Sequence, residues 1–213
     1  MSQSPPPSCW QKIVTLYENY REPLATYFNP MKKTVLFIQG GGDDGYRADA
    51  VMVKLLKKVL GETYEVLYPE IASDENAPDF GWPLQIGQQV AALNVGSVVV
   101  AHSLGASMLL KYLSEHTVSI KAAGIFLLAA PFWSGNEAWK EGLKLKADFA
   151  KQLQESDRLV FYHCKDDQEV PSHHLGRYRQ QLPGATFREF ETGGHQFKDC
   201  IDAVSGDIKN VFL

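Results

Sequence analysis

Three shortages limit what this chain can be. Its 213 residues include only three cysteines, Cys9, Cys164 and Cys200, an odd number set far apart. No disulfide framework is expected, and a reducing, cytoplasmic compartment fits best. Positive charge is not in surplus either: 21 Lys and Arg against 25 Asp and Glu leave a net charge of −4. Such a balance gives no broad positive field for a phosphate backbone or an anionic bilayer, so nucleic acid is not an expected partner. Long apolar runs are also missing. The stretch over residues 124–131 is far too short to span a bilayer, so no integral membrane association is expected. The start, residues 1–8, is rich in Pro and Ser and has neither a basic region nor an apolar core of the secretory kind.

What is present is ample apolar material, 45% of the residues, enough for one substantial core and too short a chain for a second full domain. From residue 34 onward, short β-branched runs alternate with longer amphipathic segments, the signature of βαβ units around a parallel sheet. Six strands are expected, over 34–39, 65–68, 97–101, 124–129, 158–163 and 186–191. Most are continuously apolar, as strands covered on both faces should be. Helical spacing of apolar residues appears over 47–60, 83–93, 103–114, 137–153, 173–181 and 196–211. The fold class is therefore α/β, a doubly wound, mostly parallel six-stranded sheet flanked by helices. Ahead of it, residues 10–28 place Ile13, Leu16, Tyr17, Tyr20 and Leu24 on one stripe of an amphipathic helix. Such a stripe packs on the outside of the sheet or, alternatively, caps the site. The expected organisation is a disordered tail over 1–9, an N-terminal helix over 10–29 and one domain over 30–213.

Chemistry concentrates at strand ends. Residues 97–107 read SVVVAHSLGAS: an apolar strand, then Ala101-His102-Ser103-Leu104-Gly105, then a helix-compatible run. A serine at the tip of a sharp strand-to-helix turn needs small residues two before and two after it, and Ala101 and Gly105 meet that need. A serine that merely caps the helix is the plain alternative. Ser103 is the candidate nucleophile, and because a serine hydroxyl is protonated at neutral pH it requires a base. Of the six histidines, His195 stands in Thr192-Gly193-Gly194-His195-Gln196, a tight loop just past the last strand. His102 adjoins the serine, but its side chain should point away, in a packing or supporting role. The base in turn needs a carboxylate to fix its tautomer. After the fifth strand come Lys165-Asp166-Asp167-Gln168-Glu169-Val170-Pro171, where Asp166 and Asp167 both qualify by position.

The first strand is followed by Gln39-Gly40-Gly41-Gly42-Asp43-Asp44-Gly45. Backbone N–H groups can approach an oxyanion closely only where no side chain intervenes. A phosphate-cradling loop is the rival, but no Gly-Lys-Ser/Thr follows, and Asp43 and Asp44 would repel an anion. A metal site from Asp43, Asp44 and Asp49 lacks His or Cys at ligand spacing.

With glycine loop, Ser, Asp and His in that chain order, the sequence resembles the α/β-hydrolase superfamily from about Lys33 to the C-terminus. That resemblance implies a serine hydrolase working without a cofactor or metal, on a small-molecule acyl substrate of ester, thioester or amide type, and carboxylesterase-like. It favours Asp167 as the acid, because the family's acid stands three residues before a Val or Leu followed by Pro, here Val170-Pro171. It puts the oxyanion donors on the backbones of Gly41 and Leu104, and the first strand beside the Ser103 strand. Two departures stand out: Ala101 replaces the usual glycine, and Gln39-Gly40 replaces the usual His-Gly. The short connection over residues 131–157 implies no large lid domain, similar to the small serine hydrolases related to retinoblastoma-binding protein nine. Trp82, Phe132 and Trp133, at element ends, are candidates for a substrate pocket. The alternative from another class is a protein-interaction module on a hydrolase fold with weak or vestigial activity.

Overall fold

The computed structural model describes residues 32–116, 121–133, 138–153 and 158–212. The chain divides into two units, Met1–Lys32 and Lys33–Leu213. The expected tail over 1–9 and helix over 10–29 lie outside the described residues.

The second unit is built on six strands: β1 (Lys33–Ile38), β2 (Tyr64–Leu67), β3 (Val98–His102), β4 (Gly124–Leu128), β5 (Leu159–Cys164) and β6 (Thr186–Phe190). They form one sheet in the order β2-β1-β3-β4-β5-β6, with every neighbouring pair parallel. The order reverses between β1 and β3, whose register sets Val35 opposite Val98 and Ile38 opposite Ala101. Helices α1 (Gly45–Leu60), α2 (Trp82–Ala91), α3 (Ser103–Glu115), α4 (Phe149–Gln152), α5 (His173–Gln181) and α6 (Ile201–Asn210) supply the crossovers and flanks.

Alternation along each strand sends side chains to opposite faces, and both faces are covered. On one, Val35, Phe37, Val98, Val100, Phe126 and Tyr162 pack with Met52, Val53 and Leu56 of α1 and Val204 and Ile208 of α6. On the other, Leu36, Ile38, Val99, Ala101, Ile125 and Phe161 meet Ile86 of α2, Leu109 and Leu113 of α3 and Leu175 and Tyr178 of α5. Each such fully buried aliphatic or aromatic side chain contributes about 1.5–3 kcal/mol, so the central strands are anchored twice over. Edge strand β6 is different: Arg188 and Glu189 point outward and pair with Asp207 and Arg179, a charged edge that discourages strand addition.

Two expected helices are shorter than their apolar spacing suggests. Over 137–153 there is a 3₁₀ segment, Ala138–Leu143, and then the single turn of α4. Leu143, Phe149 and Leu153 all still reach the core, so the spacing reported burial rather than a continuous helix. A side chain on Gly142 would run into the Pro78 carbonyl, and this close docking takes the place of helical continuity. Over 196–211, helix α6 begins only at Ile201. The preceding residues form turns in which Phe197 and Lys198 donate N–H bonds to the carbonyls of Gly194 and Gly193, and Phe197 and Asp199 have positive φ.

Candidate active site

In a parallel sheet the C-terminal strand ends all open on one side, and the loops there collect the chemistry-bearing residues. The loops after β1, β3, β5 and β6 are the four that the sequence singles out.

Strand β3 runs unbroken to His102, and α3 starts at the very next residue. The chain achieves this by holding Ser103 at φ +49°, a left-handed conformation that a non-glycine residue adopts only when its surroundings enforce it. Gly105 is required two residues later, because a Cβ there would lie 2.1 Å from the Gln39 carbonyl oxygen. Ala101, fully buried in β3, makes the register contact to Ile38, so its methyl group fits where the commonest pattern has glycine.

The glycine loop is tied down at three points. Gln39 is buried and its Oε1 accepts the Ile71 N–H at 3.0 Å. Gly40 N–H donates to Asp49 Oδ2 at 2.7 Å. At Gly41 a Cβ would sit 2.5 Å from Leu104 Cδ2, so the loop backbone lies directly against the residue after Ser103. Leu104 N–H is in the first turn of α3, where amides have no intrahelical acceptor.

Past β5 the two adjacent aspartates divide the work of fixing the β6 loop. Asp167 Oδ2 accepts from His195 Nδ1 at 2.8 Å, while its Oδ1 accepts the N–H groups of Glu169 and Val170, both at 2.9 Å. Asp166 accepts from Gly194 N–H at 2.8 Å and Gly193 N–H at 3.2 Å. One carboxylate therefore holds the ring and the other holds the turn that presents it. Gly193 is needed for contact as well as conformation: a Cβ would lie 2.8 Å from Cys164 Sγ and 2.9 Å from Cys200 Sγ.

The electrostatics follow from this geometry. Burial works to raise the Asp167 pKa, but the His195 contact and the two backbone donors outweigh it and hold the carboxyl below its usual range. Burial works to lower the His195 pKa; Asp167, then Glu169 and Asp49, overcome it and leave the ring more basic than a free imidazole. Because Nδ1 faces a carboxylate, it carries the proton, and Nε2 of the neutral ring is an acceptor. Glu169 Oε2 is 3.6 Å from that Nε2, on a side chain 71% exposed.

His102 is fully buried and bonded at both ring nitrogens: Nδ1 lies 2.8 Å from Asp49 Oδ2 and Nε2 lies 3.0 Å from the His195 carbonyl oxygen. The sequence reading gave His102 a supporting role and missed Asp49 in this one. A signal was available, since Asp49 falls on the stripe of α1 that also carries Met52, Val53, Leu56 and Leu60, and a charged residue on a buried stripe needs a partner. Asp44 lies exposed beside Arg47 while Asp49 turns inward, so the aspartates weighed as a metal site do not converge. Among the described residues no group of three His, Cys, Asp or Glu could hold a metal ion. His163 is also buried: its Nε2 donates to Val170 O at 2.7 Å, bracing the acid loop.

A cleft of about 380 Å³ opens beside the elbow, with Gln39, Asp43, Tyr46, Glu70, Ile71, Phe80, Trp82 and Leu104 among its lining. Trp82 is thus on the cleft. Phe132 and Trp133 are not in this lining: Phe132 stacks edge-on against Tyr178 and Phe149, and Trp133 Nε1 donates to Ser107 Oγ. No described helix is long and apolar enough to cross a membrane.

Among solved structures, the chain is similar to a meta-cleavage product hydrolase (CumD) from Pseudomonas fluorescens IP01, with a TM-score of 0.65 at 13% identity over 85% of this chain and 90% of that one. It is similar also to the ydeN gene product of B. subtilis, at TM-score 0.57 and 22% identity over 85% and 99% of the two chains. A third likeness is acyl-protein thioesterase 2 of Zea mays, at TM-score 0.61 and 15% identity over 87% and 96%. At such identities these likenesses speak for the fold: six parallel strands flanked by helices, an α/β-hydrolase arrangement with no large lid. No match to the sequence is found among curated proteins. A serine hydrolase family model matches residues 63–200, more than half of the chain, and with the hydrolase fold around it this chain belongs to the serine hydrolase family.

Proposed function

We propose that Ser103, His195 and Asp167 form a catalytic triad that hydrolyses an ester-type acyl bond of a small substrate. The observation that carries this is the buried His195–Asp167 bond at 2.8 Å, which leaves Nε2 as the acceptor in a loop tied by the His195 carbonyl to His102, the residue before Ser103. His195 Nε2 takes the Ser103 Oγ proton as Oγ attacks the acyl carbon. The oxyanion that forms accepts N–H bonds from Gly41 and Leu104, the Gly41 backbone lying against the Leu104 side chain. His195 then hands its proton to the departing alcohol, and water, deprotonated by the same nitrogen, releases the acid and restores Ser103. Both oxyanion groups and the triad belong to the chain, so the steps call on no cofactor. Proteins of similar structure include an esterase domain, a thioesterase and a monoacylglycerol lipase, in keeping with acyl transfer. The cytoplasm is the compartment we assign, supported by two thiols, Cys164 and Cys200, that face Gly193 together and are free.

A fluorophosphonate probe tests this reading. Wild type should label rapidly, and labelling should vanish in Ser103→Ala. Ser103→Ala and His195→Ala should each lower kcat by about three to six orders of magnitude with folding intact. Folded wild type that does not label would sink the enzyme reading in favour of an interaction module.

A further inference from the structure

We propose that Asp49 and His102 are a buried, hydrogen-bonded positioning pair that holds the glycine loop and the His195 loop at a fixed separation on either side of Ser103. The inference rests on Ser103 being the nucleophile.

The two residues come from different elements, α1 and the last position of β3, and each is 1% exposed. Both nitrogens of the His102 ring face oxygen acceptors. Nδ1 meets the Asp49 carboxylate and Nε2 meets a backbone carbonyl, that of His195, which can never donate. Nε2 therefore carries a hydrogen toward the carbonyl, and one further proton is shared between Nδ1 and the Asp49 carboxylate. Burial works to raise the Asp49 pKa, yet His102, then the Gly40 N–H and the Gln196 side chain, lower it on balance. A buried polar pair persists only if its remaining hydrogen-bonding capacity is met. Here Gly40 N–H meets it on the carboxylate and the His195 carbonyl on the ring.

Those two completing contacts are what make the pair more than a structural bridge. Gly40 precedes Gly41, the loop donor assigned to the oxyanion, and a Cβ on Gly40 would lie 3.1 Å from His102 Nδ1 and 3.2 Å from Ser103 Cβ. His195 is the base itself, and its ring centroid is 4.6 Å from that of His102. One chain of bonds therefore runs Gly40 N–H, Asp49, His102, His195 C=O, passing directly behind the nucleophile. Neither residue touches the space where substrate reacts; they act through Gly40, Ser103 and His195. The neutral replacement Asp49→Asn cannot keep every bond. A neutral His102 donates from one nitrogen only, and if the amide turns its NH₂ toward Nδ1, Gly40 N–H loses its acceptor. Every arrangement of the variant breaks one link.

The test uses the full chain. Fluorophosphonate labelling of wild type, lost in Ser103→Ala, first establishes the nucleophile; failure at that step is failure of the proposed function and is read separately. Asp49→Asn and His102→Gln, checked for folding by thermal melts, should then label and turn over esters about 10²-fold more slowly, the cost of misplacing reacting groups by about 1 Å. The loss should fall in kcat, with KM within about threefold of wild type, and the double variant should be no slower than the worse single, because the two residues act as one unit. A role in stability alone would lower the melting temperature and leave kcat of the folded protein unchanged, which would overturn the proposal. Should the variants not fold, ¹⁵N NMR of histidine-labelled wild type decides: the His102 Nε2–H, held by the His195 carbonyl, should give a slowly exchanging ring-proton signal. A ring hydrogen that exchanges as fast as that of an exposed imidazole would overturn the pair.

Discussion

Two buried His–Asp pairs stand one ring apart in this protein, and they share the same bond: Nδ1 to Oδ2 at 2.8 Å in His195–Asp167 and in His102–Asp49. They differ in the other nitrogen. That of His102 is taken by the carbonyl of His195, whereas that of His195 has no backbone partner among the described residues and faces an exposed carboxylate 3.6 Å away. A His–Asp bond thus does not mark a base; a second nitrogen left available to accept a proton does. In the proposed mechanism one ring is held so that it can react, and the other is held so that something else can.

The largest expected effect that sharpens this contrast lies in the acid loop. Asp167→Asn removes the acceptor that fixes the His195 tautomer and should lower kcat by about three to four orders of magnitude. Asp166→Asn keeps one side-chain acceptor for the Gly193 and Gly194 amides and should cost no more than about tenfold, the scale of one or two ordinary hydrogen bonds. Steady-state kinetics on the two variants measure both. Equal, mild losses would place the acid elsewhere, with Glu169 the next candidate.

The division between the two aspartates also shows what a sequence can and cannot display. The strand-to-helix turn at Ser103 was legible because a continuous apolar strand, small flanking residues and a helical run have a single geometric outcome. All six strands were legible as short runs between amphipathic segments, and the adjacency of β1 and β3 only through the resemblance. Asp166 against Asp167 was not legible from position alone: both follow β5 at the correct end of the sheet, and the sequence favoured Asp167 only through the resemblance, by its spacing to Val170-Pro171, whereas in the structure the direction of each side chain, set by the turn at 165–172, separates them. Asp49 was hidden differently, since its partner is 53 positions away and only the packing of α1 against the β1 loop brings them together. The overestimated helix over 137–153 has a third cause, in that apolar spacing records which residues are buried and is silent on whether the chain between them stays helical.

The pH profile gives the next, smaller effect. His195 is held above the ordinary imidazole value, about 6.5, and must be neutral to accept the Ser103 proton. The acid limb of kcat/KM should therefore lie above pH 6.5, with activity rising as pH rises through it. The stability contribution of the same pair runs the other way. It is complete between about pH 4, above which an unfolded Asp is ionised, and about pH 6.5, below which an unfolded His is charged, and it declines as pH climbs through the raised His195 value. Activity should grow while this contribution fades. Glu169→Gln removes one attraction for the charged ring and should move the limb to lower pH by only a few tenths, because an exposed carboxylate is well screened; 0.5 M salt should shrink the difference between the two proteins. A limb below pH 6.5 in wild type would contradict the geometry.

The smallest effect concerns the substrate rather than the pairs, and it asks whether the available nitrogen of His195 serves a large or a small acyl group. The cleft beside Leu104 is about 380 Å³, with Ile71, Phe80 and Trp82 on its apolar side and Asp43, Glu70 and Glu75 also in its lining. The described part of the connection between β4 and β5 contributes only a 3₁₀ segment and one helical turn, little with which to enclose a long chain. Each methylene that enters the apolar part should improve kcat/KM by up to about 0.8 kcal/mol, roughly fourfold. Once the chain meets the carboxylates or open water, further methylenes bury no new surface and the gain should stop. Nitrophenyl esters from acetate to palmitate, assayed below their micelle concentrations, would show the plateau. A rate still climbing beyond about eight carbons would mean that more apolar surface closes over the site than the cleft provides, and truncating residues 1–29 would then show whether that surface comes from the N-terminal segment, by selectively weakening the long esters.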